Sequence, residues 1–162
     1  MPSIFLLLLL IILVILSGFL SGSETAITAT SKARILYKKK KGSKRAKYVL
    51  ELLDKKDNVI STLLLSNNLV NILASSLATA FFYDIFGVEG IFYATLIMTV
   101  VIVIFAEVLP KTYAINRPNR TALLISPIIY YLKTVIKSCL RYWLLNLHYV
   151  RSDQWWKIHS RL

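Results

Sequence analysis

Three membrane-spanning helices, a basic cytoplasmic helical hairpin after the first and an interfacial juxtamembrane belt helix after the third: this all-α membrane fold is expected of these 162 residues. Three observations lead there. The chain is 56% hydrophobic with a mean hydropathy of +0.61, a membrane protein's composition. It contains three predominantly apolar runs near or above the roughly 20 residues that cross a bilayer as a helix. Its basic residues are segregated: eleven of the twenty Lys and Arg lie between Ser31 and Asn58, and the other nine follow Leu109. Basic blocks beside apolar spans belong on the cytoplasmic side, against anionic headgroups. The net charge of +12 would otherwise suggest nucleic acid, a partner that the hydrophobicity argues against. A single Cys139 excludes an internal disulfide, and His148 and His159 lack the company of a zinc or catalytic site.

The first span covers about 4–30. Ile4 to Leu16 is unbroken apolar sequence with no basic residue before it, so it is expected to be retained rather than cleaved as a signal. Its second half is small and polar. Ser17, Ser21, Glu24 and Thr28 recur at helical spacing and give one hydroxyl-rich face. Ser17/Ser21 and Gly18/Gly22 are also small-xxx-small pairs, which tight helix packing explains as well. Residues 31–58 predict a hairpin of two short helices, with Gly42 ending the first and Ser43 capping the second. The faces bearing Ile35 and Leu36, then Val49, Leu50, Leu52 and Leu53, suit a membrane surface. Lys38 to Lys41 form a solvated, lipid-facing patch.

The second span, about 59–82, concentrates its polar residues in Ser66-Asn67-Asn68-Leu69-Val70-Asn71, followed by Ser75, Ser76 and Thr79. Asparagine in lipid needs a partner, and bonding between helices is the plain explanation. Asn67 and Asn71 share a face, so one can coordinate while the other props it. A loop at 83–89 carries Asp84 and Glu89 but no Lys or Arg, and the third span runs from about 90 to 109. The positive-inside rule then places the N-terminus outside and the C-terminus in the cytoplasm, of a plasma or bacterial inner membrane. Residues 119–150 mimic a fourth span, but Lys133, Lys137 and Arg141 form a cationic stripe at i, i+4 and i+8. Each would cost about 2.5–3.5 kcal/mol at the centre of a span, so an interfacial helix is expected instead. The tail, 151–162, ends without a domain.

The chemistry gathers at Val103-Ile104-Phe105-Ala106-Glu107-Val108-Leu109-Pro110-Lys111. An ionisable residue at membrane depth is costly and marks a functional site by default. Pro110 cannot donate to the carbonyl four residues back, that of Ala106. One released backbone oxygen next to a carboxylate begins a hard-cation site. The alternative is a proline kink whose acid faces water near the cytoplasmic edge.

Ser17-Gly-Phe-Leu-Ser-Gly-Ser-Glu-Thr-Ala26, Leu63-Leu-Leu-Ser-Asn-Asn-Leu-Val-Asn71 and Phe105-Ala-Glu-Val-Leu-Pro-Lys111 together resemble the transmembrane domain of the CorC/CNNM (cyclin M) family. The resemblance covers nearly the whole chain. It implies magnesium export coupled to sodium, a homodimer of three-span protomers, and a dehydrated Mg²⁺ in each protomer. The ligands it implies are the side chains of Ser17, Ser21, Asn67 and Glu107 and the carbonyl of Ala106. Asn71, Pro110 and Glu24 are expected to support them. Where the family commonly has glycine before the glutamate, this chain has Ala106. The family's nucleotide-sensing CBS domains are absent from this sequence, so a membrane-domain fragment or a minimal member is expected. All-oxygen ligands suit Mg²⁺ or Na⁺ and not soft metals. The rival reading is a non-transporting membrane anchor or sensor for a soluble partner. An enzyme is not expected: one acid without a nucleophile–base pair or metal-site histidines is too little.

Overall fold

The computed structural model describes residues 2–131, and among them there is no strand. Helices α1 (Pro2–Ala29), α2 (Lys32–Lys40), α3 (Lys44–Asp54), α4 (Lys56–Phe86) and α5 (Glu89–Val101) follow in order. A π-helical segment (Ile102–Val108) then leads directly into α6 (Leu109–Asn116), and α7 occupies 118–131. Three stretches are long and apolar enough to cross a membrane: Ile4–Ala29, Lys56–Phe86 and Glu89–Asn116. The cationic stripe at Lys133, Lys137 and Arg141 and the 151–162 tail lie outside the described residues. The contacts below belong to the compact unit that ends at Pro127.

Both later spans are longer than the sequence suggests. Helix α4 starts at Lys56, with Asp57 in its first turn where the helix dipole favours an acid. It also extends through the expected acidic loop, so Asp84 rides on the helix and only Gly87 and Val88 connect it to α5. A Cβ at Gly90 would run into the Phe82 carbonyl, so glycine there lets α5 double back tightly against α4. The third span does not end at Pro110, as expected, but continues helically to Asn116. Widening to a π turn is one of the ways a helix absorbs a proline without breaking.

The buried residues of α4, Val59, Leu63, Asn67, Val70, Ala74 and Ala78, recur every three or four positions. Helix α4 packs against both α1 and α5, and α1 packs in turn on the π segment and α6. Leu10, Ala74, Ala78 and Met98 join the three spans in one apolar cluster, where the two alanines permit close approach. Much of the remaining surface is bare hydrocarbon, including Phe5, Ile15, Leu69, Ile72, Phe92 and Leu96, as a lipid-facing surface should be.

The basic hairpin forms as expected, with a different buried face. Gly42 takes φ +86; its N–H bonds to the Lys39 carbonyl and that of Ser43 to Lys38, the Schellman pattern. Ser43 has the extended backbone of an N-cap but its side chain makes no capping bond. Ile35, Val49, Leu50 and Leu52 are buried inside the protein rather than laid on a membrane, and Leu36 is the exposed member of that set. The single hydroxyl hydrogen of Ser126 in α7 is within reach of the Arg45 carbonyl at 3.5 Å and of the Leu123 carbonyl at 3.3 Å. Lys32 and Asp54 bridge α2 and α3 at 2.7 Å, but both are mostly exposed, so the pair is worth at most about 1 kcal/mol.

Three contacts tie the basic hairpin, the end of α1 and the start of α7 together at one end of the bundle. The Thr30 hydroxyl donates to Ala26 at 2.6 Å and reaches the Pro118 carbonyl at 3.3 Å. The Ser31 N–H donates to Asn119 Oδ1 at 3.2 Å. Lys56 Nζ donates to the Thr28 carbonyl at 2.9 Å, satisfying an otherwise orphan acceptor at the end of α1.

Candidate functional site

The polar half of α1 is the half that the bundle covers. Ser17 is 1% exposed, Ser21 0% and Asn67 of α4 6%, so these hydroxyls and amides have no bulk water to bond. Ser17 Oγ lies 2.8 Å from Asn67 Oδ1 and 2.6 Å from Asn71 Oδ1. A hydroxyl has one hydrogen. Three oxygens therefore converge on a single proton. Turning one amide by half a revolution would supply a donor and make a neutral network; a cation among the oxygens would satisfy all three at once. Asn71, expected only to support Asn67, contacts Ser17 as closely as Asn67 does.

The third span meets α1 through glycines. A Cβ built on Gly18 would lie 3.2 Å from the Phe105 carbonyl oxygen, 3.2 Å from Pro110 Cγ and 3.7 Å from Ala106 Cα. One on Gly22 would lie 3.3 Å from Pro110 Cβ. The small-residue pair in α1 thus receives the proline and the backbone just before Glu107. Ala106 is fully buried, so its methyl, where the family pattern has glycine, is accommodated.

The π register adds a second carbonyl, next to Ala106, that the proline leaves without a partner. The Leu109 N–H bonds to Ile104, five residues back. In that register the partner of residue 110 is Phe105, and Pro110 has no N–H to offer. The α-helical reasoning from sequence pointed one residue further on, to Ala106. Nothing in the sequence announces a π turn ahead of a proline, and the Phe105 oxygen was accordingly missed.

Among the described residues two buried side-chain oxygens lack any partner: Ser21 Oγ and Glu24 Oε2, three residues apart on α1. Serine in a helix commonly bonds back to the carbonyl four residues earlier, as the Thr25 and Thr28 hydroxyls do here; Ser21 does not. Glu107 is half-buried. The structure thus joins Ser17, Asn67 and Asn71 directly and sets the Phe105–Ala106 backbone against Gly18. It gives Ser21 and the Glu107 carboxylate no bonded partner among the described residues. No group of three His, Cys, Asp or Glu occurs among those residues. The available donors are hydroxyls, amide oxygens, backbone carbonyls and one or two carboxylates, a set for a hard cation and a poor one for zinc or copper.

The chain is also similar to known membrane proteins. Residues 8–149 match the cyclin M transmembrane N-terminal domain. The chain is 38% identical over 137 residues to the UPF0053 inner membrane protein YfjD of Escherichia coli, covering 78% of this chain and 32% of that protein. It is 35% identical over 146 residues to a UPF0053 protein of Haemophilus influenzae, covering 90% and 34% respectively. A putative chloroplastic DUF21 domain-containing protein of Arabidopsis thaliana is 30% identical over 121 residues, covering 75% and 18%. The chain spans about a third of the length of the two bacterial relatives. With the match running through all three spans and every motif above, this multi-pass membrane chain belongs to the cyclin M (CNNM) transmembrane-domain family.

Proposed function

We propose that this chain transports Mg²⁺ across a membrane, as the transmembrane domain of an exporter that uses Na⁺ as its coupling ion and works as a homodimer. The observation that carries the reading is the fully buried Ser21 hydroxyl that has no partner, one turn along α1 from the Ser17–Asn67–Asn71 cluster. Buried polar atoms are almost always satisfied, and each exception asks for an explanation such as an ion. The ligands are Ser17, Ser21, Asn67 and Glu107 with a backbone carbonyl at Ala106 or its neighbour Phe105; Asn71, Pro110 and Glu24 support them.

Mg²⁺ demands octahedral oxygen ligation at about 2.0–2.1 Å and gives up water reluctantly, so several converging protein oxygens are needed to replace its shell. One carboxylate against a divalent ion leaves the site net positive, which favours release over storage. The basic end of the bundle is cytoplasmic and the Asp84/Glu89 end faces out. No catalytic role is assigned. The test is Mg²⁺ flux in liposomes that contain only this chain, followed with a trapped Mg²⁺-sensitive dye. The parent should carry flux that Glu107→Gln, equal in size but uncharged, abolishes. Folded, inserted parent protein without flux would leave the anchor or sensor role.

A further inference from the structure

We propose that the groove between α4 and α5, at the end of the bundle away from the basic hairpin, is a hydration vestibule in which Mg²⁺ exchanges protein ligands for water; this rests on the transport reading above. Asn67, Asn71, Ser75 and Thr79 follow one another at four-residue intervals along α4. The first two belong to the Ser17 cluster. The last two line a cavity of about 310 Å³ together with Thr95 and Thr99 of α5, the apolar Ala94 and Met98, and the first residues of the π segment, Ile102 and Val103. Ser75 lies four residues beyond Asn71, about 6 Å further along the helix axis. The cavity thus adjoins the oxygen cluster at one end and reaches the π segment that carries Glu107.

Its size suits a hydrated cation, and four of its eight lining residues carry hydroxyls. A water occupies about 30 Å³ of liquid, so a shell of six needs roughly 180 Å³, well within the cavity. The waters around a cation point their hydrogens outward and need acceptors. Thr79 donates its hydroxyl hydrogen to the Ser75 carbonyl at 2.9 Å, Thr95 to Ile91 at 2.9 Å and Thr99 to Thr95 at 2.7 Å. With the hydrogens committed to the helices, these oxygens have only lone pairs left to offer. No Lys or Arg occurs between Asn58 and Leu109, while Asp84 and Glu89 mark this end of the bundle. An anion would find no positive charge here and three of the four hydroxyl hydrogens already committed. An ion stripped of water at the Ser17 cluster needs such a volume on its way out, because bare Mg²⁺ cannot cross the remaining apolar layer.

The test combines accessibility with transport. In a Cys139→Ser background, Thr79→Cys and Thr95→Cys should react with a charged, membrane-impermeant methanethiosulfonate roughly ten times faster than Leu96→Cys, because a thiolate forms in water and not in lipid. Leu96 is 58% exposed on the apolar surface of the same helix. Rates equal to that of Leu96→Cys would mean that lipid or a second copy fills the groove, and would overturn the proposal. The double variant Thr79→Val, Thr99→Val keeps shape and removes two acceptors. It should lower flux about tenfold while the Mg²⁺-induced rise in thermal midpoint stays at the parent value. Parent-like flux in that variant would sink the vestibule alone; a parent that binds Mg²⁺ but carries no flux would sink the transport reading and the vestibule with it.

Discussion

Ser17 and Ser21 sit one turn apart on α1 and meet opposite circumstances. Ser17 has two amide oxygens within 2.8 Å; Ser21, fully buried, has none. A buried hydroxyl without a partner costs about 1–3 kcal/mol, so Ser21 weakens the metal-free fold. Ser21→Ala should therefore raise the thermal midpoint measured in chelator while it weakens the response to Mg²⁺. A fall in the metal-free midpoint would assign Ser21 to packing instead. At this scale the sequence was informative about residue types and less so about geometry. Spacing put Ser17, Ser21, Glu24 and Thr28 on one face and Asn67 with Asn71 on another; the family resemblance picked Ser17, Ser21 and Asn67 from these, and the charge in an apolar run marked Glu107. Spacing could not say that Asn71 meets Ser17 as directly as Asn67, because both lie on one face and side-chain direction decides between them. Whether Glu24 supports a ligand or holds a cation itself is likewise not written in its spacing.

The elements were legible where periodicity, composition and glycine chemistry dominate: three spans, the hairpin, and the Gly42 stop. They were illegible where a local rule has several structural solutions. Pro110 could have ended the helix, kinked it or widened it; a π turn precedes it, and its ring lies against Gly18 and Gly22. The apolar faces of α2 and α3 were read as membrane-lying because hydrophobicity does not distinguish lipid from protein as the covering layer. Two substitutions test the π segment. Gly18→Ala would set a methyl 3.2 Å from both the Phe105 oxygen and Pro110 Cγ; such overpacking costs roughly 1–3 kcal/mol and should loosen Mg²⁺ binding by moving the third span away from α1. Pro110→Ala returns an N–H to the segment and lets it take up the released carbonyl. Calorimetric titration should show weaker binding in both, and a milder loss than in Glu107→Gln. Undiminished affinity in Pro110→Ala would refute the released carbonyl as a ligand while leaving the carboxylate in place.

At the scale of the described bundle, the basic hairpin and residues 118–119 meet at one end, tied by Thr30, Ser31 and Lys56, and Asp84 and Glu89 mark the other. Cysteines introduced at Lys40 and Glu89 should accordingly be labelled from opposite sides of the membrane, Lys40 from the cytoplasm; labelling of both from one side would break the three-span arrangement. The central claim is that Ser17 and Ser21 of α1, Asn67 of α4 and Glu107 of the π segment hold one ion, which then cross-links three helices. A ligand bound only to the native state stabilises it by about 2.7 kcal/mol at a hundred times its dissociation constant. The measurement that tests this most directly is the thermal midpoint of the purified chain against Mg²⁺ concentration, in the parent, Ser21→Ala, Asn67→Ala and the double variant. The parent midpoint should rise with Mg²⁺ and hardly with K⁺, each single variant should lose most of the rise, and the double variant should lose little more, because residues of one site are not additive. A parent midpoint indifferent to Mg²⁺, or two partial losses that simply add, would contradict a shared ion and leave these residues as ordinary packing and interhelical hydrogen bonds.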